Sequence, residues 1–340
     1  PFDADNLDLL ADAVPIAENV TFLSNYSRSF CTVSPDGKLL YRTGESRSGS
    51  RVMVFDSTGR VVDSVGDWIR QYNVQLSPDE RFLAVSTLDE SSGSGQVDVW
   101  IHDLSRRIKR RVTFDSLDNT TPVWSPDGES FAFVTIGGDS TTLAIGAANG
   151  IGAPRVIFTS RERMFVDDWS ADGRYIFVNR SFATNEIWVA PLDTTEEPFN
   201  VCGSGQEFGW PALSPDGRWL AFMSLESGEE EVYVIPFPTG NGKWQVSLNE
   251  GDRPRWSADG KRLYYLDNNE TINVAEVDGS GVAFKVGDVH PLFSIRGARP
   301  GNVYDVNADG SLFYVNQLPA DAQRSVPLTL VQNWDAALTR

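Results

Sequence analysis

The chain has 340 residues, 41% of them apolar and 11% aromatic, enough to bury a sizeable core. Its 47 acidic residues against 29 basic ones give a net charge of -18, which repels phosphate backbones and anionic lipid and argues against nucleic-acid or direct membrane binding. No stretch approaches the roughly 18–20 apolar residues needed to cross a bilayer, and two cysteines, Cys31 and Cys202, imply no disulfide framework.

The chain opens Pro1-Phe2-Asp3, without an initiating Met or a signal peptide, as expected of a processed product or a portion of a longer protein. Strand-like residues follow between Phe2 and Val20. From Ser34 onward one short pattern recurs seven times. It reads SPDGKLLYRT from Ser34, SPDERFLAVS from Ser77, SPDGESFAFV from Ser125 and SADGRYIFVN from Ser170. It continues as SPDGRWLAFM from Ser214, SADGKRLYYL from Ser257 and NADGSLFYVN from Asn307. The turn aspartates are Asp36, Asp79, Asp127, Asp172, Asp216, Asp259 and Asp309, on a period of about 45 residues, the length of one four-stranded propeller blade.

Each residue of the pattern has a physical task. Pro presets the second position of a type I turn, and Asp can accept from nearby backbone N–H groups. Gly then takes the left-handed conformation that closes a short hairpin. Glu80 stands in the glycine position of the second copy, at a cost of about 1 kcal/mol. Strands flank each turn: Asn73–Leu76, Thr121–Trp124, Val166–Trp169 and Arg253–Trp256 before it, and apolar runs such as Phe131–Val134 and Trp219–Met223 after it. Apolar runs of this kind suit strands packed on both faces. Third strands are expected near Val97–Ile101, Glu186–Val189, Glu231–Val234 and Thr271–Val274, and fourth strands near Arg110–Thr113 and Trp244–Ser247. No amphipathic helix stands out.

The last copy supplies strands near Val303–Val306, Leu312–Val315 and Pro327–Val331, then ends without a fourth. The expected fold is therefore an all-β, seven-bladed propeller of four-stranded blades in one domain, 1–340. Residues 1–20 would be the closing strand of the last blade, since an open sheet edge must be covered.

These copies resemble the TolB-type propeller repeat, a Trp or Leu followed by Ser-Pro-Asp-Gly and an apolar strand, over essentially the whole chain from Ser34. They are further similar to the C-terminal propeller regions of bacterial membrane-anchored serine/threonine kinases. That second similarity rests on Pro1-Phe2-Asp3, Pro15-Ile16-Ala17-Glu18, Leu40-Tyr41-Arg42-Thr43, Asp98-Val99-Trp100, Arg111-Val112-Thr113-Phe114, Tyr304-Asp305-Val306 and Leu330-Val331-Gln332-Asn333-Trp334. The kinase signatures themselves, a Gly-rich loop, His-Arg-Asp and Asp-Phe-Gly, are not in this sequence. The resemblance implies a bacterial, extracytoplasmic (periplasmic or cell-surface) recognition or sensor module.

For chemistry the sequence offers little. There is no Gly-x-Ser-x-Gly elbow for serine hydrolysis. His102 and His290 are the only histidines, too few for the histidine-held metal of TolB-like lyases. A calcium ion is the one cofactor that the oxygen donors could serve, with Asp167 and Asp168 as candidate ligands; solvation or backbone bonding is their plainer role. No catalytic residue is assigned. Trp68, Tyr72, Phe208 and Trp210 are candidate contacts for a protein, peptide or small ligand at the channel rim, against the plainer reading that they pack between blades. The expected function is non-enzymatic binding. An enzyme with a carboxylate or metal site in the channel mouth, and a structural assembly subunit, are the alternatives. Cys31 and Cys202 are expected as free thiols.

Overall fold

The computed structural model describes residues 2–3, 8–9, 22–23, 28–29, 31–34, 38–42, 49–88, 95–181, 185–193, 195–202, 208–238, 241–297, 301–319 and 328–332. Among these there is no helix, and every pairing between strands is antiparallel. It divides into a unit of 49–318 and a unit of 1–48 with 319–340.

Seven sheets carry the seven turns and are numbered here by turn. Sheet 2 comprises Gln71–Leu76, Phe82–Leu88, Val97–Asp103 and Ile108–Arg111. Sheet 3 comprises Asp118–Trp124, Ser130–Gly137, Ser140–Ala147 and Arg155–Ser160. Sheet 4 comprises Arg163–Trp169, Tyr175–Ser181, Asn185–Pro191 and Phe199–Asn200. Sheet 5 comprises Phe208–Leu213, Trp219–Ser224, Glu231–Pro236 and Trp244–Gln245. Sheet 6 comprises Asp252–Trp256, Arg262–Leu266, Thr271–Asp278 and Lys285–Ser294. Sheet 7 takes Tyr304–Val306 and Leu312–Gln317 from late in the chain, then Ser50–Asp56 and Val61–Ile69 from early in it. Sheet 1, in the other unit, has three strands: Cys31–Val33, Lys38–Arg42 and Leu328–Gln332.

The turns behave as their chemistry dictates. In sheets 2 to 6 the turn serine hydroxyl donates to the turn aspartate at 2.6 Å. The same carboxylate accepts the N–H two residues on, which holds these carboxyls below the usual carboxylate range. Gly128, Gly173, Gly217, Gly260 and Gly310 all have left-handed φ near 70°, and Glu80 adopts the same angle, 58°. Its carboxylate accepts the N–H of Ala308, in the turn of sheet 7, at 2.8 Å.

The six four-stranded sheets form a closed series, each junction carrying a polar link between first strands. Trp124 Nε1 donates to Gln75 O between sheets 2 and 3, and Val166 N to Thr121 Oγ1 between sheets 3 and 4. Leu213 N donates to Asp168 Oδ2 between sheets 4 and 5, and Trp256 Nε1 to Ala212 O between sheets 5 and 6. Tyr304 Oη donates to Arg253 O between sheets 6 and 7. Leu76 N donates to Asp305 Oδ2 between sheets 7 and 2, which closes the ring. Apolar clusters fill the gaps between sheets; Phe55, Tyr264, Ile272, Phe313 and Val315 pack together at the junction of sheets 6 and 7.

Two expectations about closure are corrected. The last blade is completed by two strands, Ser50–Asp56 and Val61–Ile69, and not by residues 1–20. Phe2–Asp3 pairs with Asp8–Leu9, and 10–20 lie outside the described residues. The strand expected near Pro327–Val331 as the third of sheet 7 pairs instead with Lys38–Arg42 of sheet 1. Burial explains the choice. An inner strand must be apolar on both faces, and Ser50–Asp56 buries Val52, Val54 and Phe55, whereas Leu330 is half exposed. Sheet 1 consequently has three described strands, and the ring of 49–318 is built from sheets 2 to 7.

A buried charged cluster at the ring axis

The first strands link blade to blade around the axis, and in sheets 2 to 6 each departs from regular pairing a few residues before its turn. The register shifts between Thr120 and Val123, Val166 and Asp168, Gly209 and Ala212, and Asp252 and Arg255. Asn73, Thr121, Trp210 and Arg253 occupy the same column, four residues before the turn serine, and all have φ between 51° and 55°. Left-handed backbone is a genuine outlier for a β-branched Thr and costly for Trp and Arg. In two of the four the side chain accepts an N–H across a blade junction, Asn73 from Asn302 at 2.9 Å and Thr121 from Val166 at 3.1 Å.

Two residues further on, the next column brings Asp168, Arg255 and Asp305 together, with Asp167 beside them. Asp168 and Asp305 do one job in two blades. Each accepts the N–H of its own successor, Trp169 at 2.8 Å and Val306 at 2.9 Å. Each also accepts the first-strand N–H of the next blade, Leu213 at 2.6 Å and Leu76 at 2.7 Å. Asp168 is only part-buried by its own surface, yet it is surrounded deeply enough that desolvation pushes its carboxyl up to about 6. Burial raises Asp305 as well, against the pull of Arg255.

Asp167 is buried, and desolvation pushes it up to about 7 although the Arg255 charge acts to lower it. Its Oδ2 has no hydrogen-bond partner. Arg255 is 8% exposed, and its Nε lies 3.9 Å from Asp305 Oδ1, beyond hydrogen-bond length. Nη1 donates to Pro254 O at 3.1 Å, while Nε and Nη2 have no partner. Next to it Arg253 is ion-paired to Asp252, donates from Nε to Gly301 O, and stacks its guanidinium 4.2 Å over the Trp210 ring.

The aromatic candidates scatter. Trp210 belongs to the axial cluster through Arg253. Phe208, 6% exposed, packs edge-on against Phe222 at 5.9 Å in the core between sheets 4 and 5. Tyr72 lies part-buried on the first strand of sheet 2, and Trp68 is 50% exposed on the outer strand of sheet 7. Asp167 and Asp168 do lie side by side in the ring, but among the described residues no three of His, Cys, Asp and Glu are grouped to hold a metal. His102 is buried beneath Gly66, and desolvation pushes it down to about 4. Arg253, Arg255, Tyr304 and Asp305 carry no local sign of a binding role in the sequence, where they read only as strand and repeat residues. The signal was there in the alignment of the copies on their turns: the column two before each turn serine reads Gln75, Val123, Asp168, Ala212 and Arg255, with Asp305 two before Asn307.

A second polar feature opens where sheet 6 begins. A cleft of about 140 Å³ is lined by Glu230, Glu250, Asp252, Asp267 and Glu270. Glu250 shares a hydrogen bond with Glu229, and the crowding of carboxylates raises it.

With this architecture the fold is that of the TolB-like β-propellers. The chain resembles the solved structure of an Agrobacterium tumefaciens protein assigned as TolB, with a TM-score of 0.64 at 18% identity over 80% of this chain and 99% of that one. No family model matches. An uncharacterised protein of Agrobacterium fabrum is 26% identical over 246 residues, 68% of this chain and 82% of that protein. The uncharacterised peptidase YuxL of Bacillus subtilis is 27% identical over 207 residues, 47% of this chain but only 31% of the peptidase.

Proposed function

We propose that the ring is a non-enzymatic binding module that reads a protein, peptide or small ligand at its axial face. It would serve as a recognition or sensor part of a larger, extracytoplasmic bacterial protein. The observation that carries this reading is the axial cluster: charged side chains from sheets 4, 6 and 7 meet there beside Trp210, and two of them, Arg255 and Asp167, are buried with unused hydrogen-bonding capacity. A purely structural core would be expected to satisfy such groups or replace them with apolar ones. The TolB-like fold is compatible with a binding or scaffolding role, although a fold alone assigns no function.

A second reading is favoured by the match to part of a peptidase: the ring would be the propeller portion of a hydrolase, admitting substrate to a catalytic part elsewhere. One experiment separates both of these from an enzyme whose site lies in the ring itself. The purified chain is offered pools of short peptides, and both binding and cleavage are followed by mass spectrometry. Binding without cleavage, weakened by substitution at Trp210, supports the binding module. Turnover by the chain itself, abolished in Asp167→Asn or Asp168→Asn, would replace it with an enzyme. A calcium ion on Asp167 and Asp168 belongs to that enzyme reading; there, added calcium should raise Tm and a chelator lower it.

A further inference from the structure

Arg255 presents a particular geometry. Its Nε–H and one Nη2–H lie on the same edge of the guanidinium and form a two-pronged donor. Neither prong has a hydrogen-bond partner, Nε lying in a long ion pair 3.9 Å from Asp305 Oδ1, and the side chain is more than nine-tenths buried. The strongest charge acting on Asp167 is this same guanidinium, and Asp167, 3% exposed, has a free acceptor in Oδ2. A buried donor pair on sheet 6 and a buried acceptor on sheet 4 therefore belong to one axial cluster, the guanidinium near enough for its charge to act on the carboxyl. Unmet buried groups of this kind are costly and call for a complement.

We infer that Arg255 and Asp167 form a ligand seat at the ring axis for an uncharged amide, its carbonyl oxygen on the Arg255 edge and its N–H on Asp167 Oδ2. The inference rests on the binding reading above and names the group that is read.

Charge selects the class. Above about pH 7, where Asp167 and Asp168 are ionised, they act with Asp305 around one guanidinium, since Arg253 is already paired with Asp252. A ligand carboxylate would add a further negative charge to an excess of them. An ammonium would suit the carboxylates but offer nothing to the two Arg255 donors. A neutral group with acceptor and donor side by side satisfies both partners at no cost in charge. An amide has that arrangement, whether it comes from a peptide main chain, an Asn or Gln side chain, or a small carboxamide.

The test follows the Arg255 Nε–H resonance in the isotope-labelled full chain, assigned with Arg255→Lys. Acetamide, acetate and methylammonium are titrated at matched ionic strength, with N-acetylglycine N-methylamide as the peptide-like arm. Acetamide is expected to give a saturable shift that weakens about tenfold in Asp167→Leu, which keeps the size and removes the acceptor. A stronger response to the peptide-like probe identifies the main chain as source, and a weaker one points to a side-chain or free amide. The inference is overturned if acetate or methylammonium shifts Arg255 as much as acetamide does, or if Asp167→Leu responds like the parent. Shifts at the Trp210 and Trp256 indoles without one at Arg255 would overturn this seat and leave axial binding standing. No axial response to any probe would remove both. A crystal soaked in acetamide gives an independent reading that needs no variant: the amide on the Arg255 edge supports the seat, and water alone there refutes it.

Discussion

Glu80 is the single residue that replaces the turn glycine, and its position suggests why. It lies in the turn of sheet 2, and its carboxylate accepts the Ala308 N–H from the turn of sheet 7, across the seam where the ring closes. The left-handed backbone costs about 1 kcal/mol, and a charge-assisted bond at a partly exposed site returns about 1 kcal/mol. Glu80→Gly should therefore leave stability nearly unchanged, because strain and bond disappear together. Ala308→Pro isolates the bond. Proline already occupies this turn position at Pro78, Pro126 and Pro215, so the change removes the N–H with little distortion. In the Glu80→Gly background it should stabilise by about 0.4–1 kcal/mol through the unfolded chain. In the parent the same gain should be cancelled by the lost bond. Urea denaturation of the four proteins gives a coupling expected at about 1 kcal/mol. Additivity within about 0.3 kcal/mol would show that the bond does not operate and that Glu80 is simply strained.

Other outcomes follow from the axis and the thiols. Asp305→Ala leaves the Leu76 and Val306 N–H groups unmet at the seam and should destabilise by about 2–4 kcal/mol in urea denaturation, with Asp305→Asn milder because one acceptor survives. Trp256→Phe should cost about 1 kcal/mol by the same measurement, through the lost bond to Ala212 O. Cys31 is exposed and should react with a thiol reagent in the native protein. Cys202, its thiol pushed up to about 12 by burial, should react only after denaturation.

The fold was legible because its punctuation is local. Ser, Pro, Asp and Gly act within one turn, so each copy announces itself, and the apolar runs after the turns are as buried as two-sided packing requires: Phe131 to Val134 are at most 1% exposed. Closure was not legible, because it pairs residues more than 250 positions apart: Leu312–Gln317 with Ser50–Asp56, and Leu328–Gln332 with Lys38–Arg42. The nearest strand in sequence was the natural choice for sheet 7, and only two-sided burial favours Ser50–Asp56 over it. The axial cluster was half legible. Asp167 and Asp168 stood out as adjacent acids, but nothing local distinguishes Arg255 from a surface arginine. Its role comes from blades 4 and 7 meeting blade 6 around an axis.

The axial acids also set how stability responds to pH, and the sign separates a structural from a functional cluster. Asp167 and Asp168 have folded values near 7 and 6, above the usual 3.8, so the folded state binds more protons than the unfolded one. Their stabilising contribution is complete below about pH 4 and is lost as pH rises through 6 to 7. The turn aspartates act oppositely: held low by their serines and backbone amides, they stabilise above the ordinary carboxylate value and lose that contribution in acid. His102, pushed down to about 4, adds to the loss in acid as pH falls from 6.5. Denaturation profiles from pH 4 to 8 should thus show stability declining toward the alkaline side, and Asp167→Asn should flatten that decline while leaving the acid limb unchanged. An unaltered alkaline limb in the variant would mean that Asp167 is ionised at no cost, already matched within the fold. The axial cluster would then be a satisfied core with no group left for a ligand to meet.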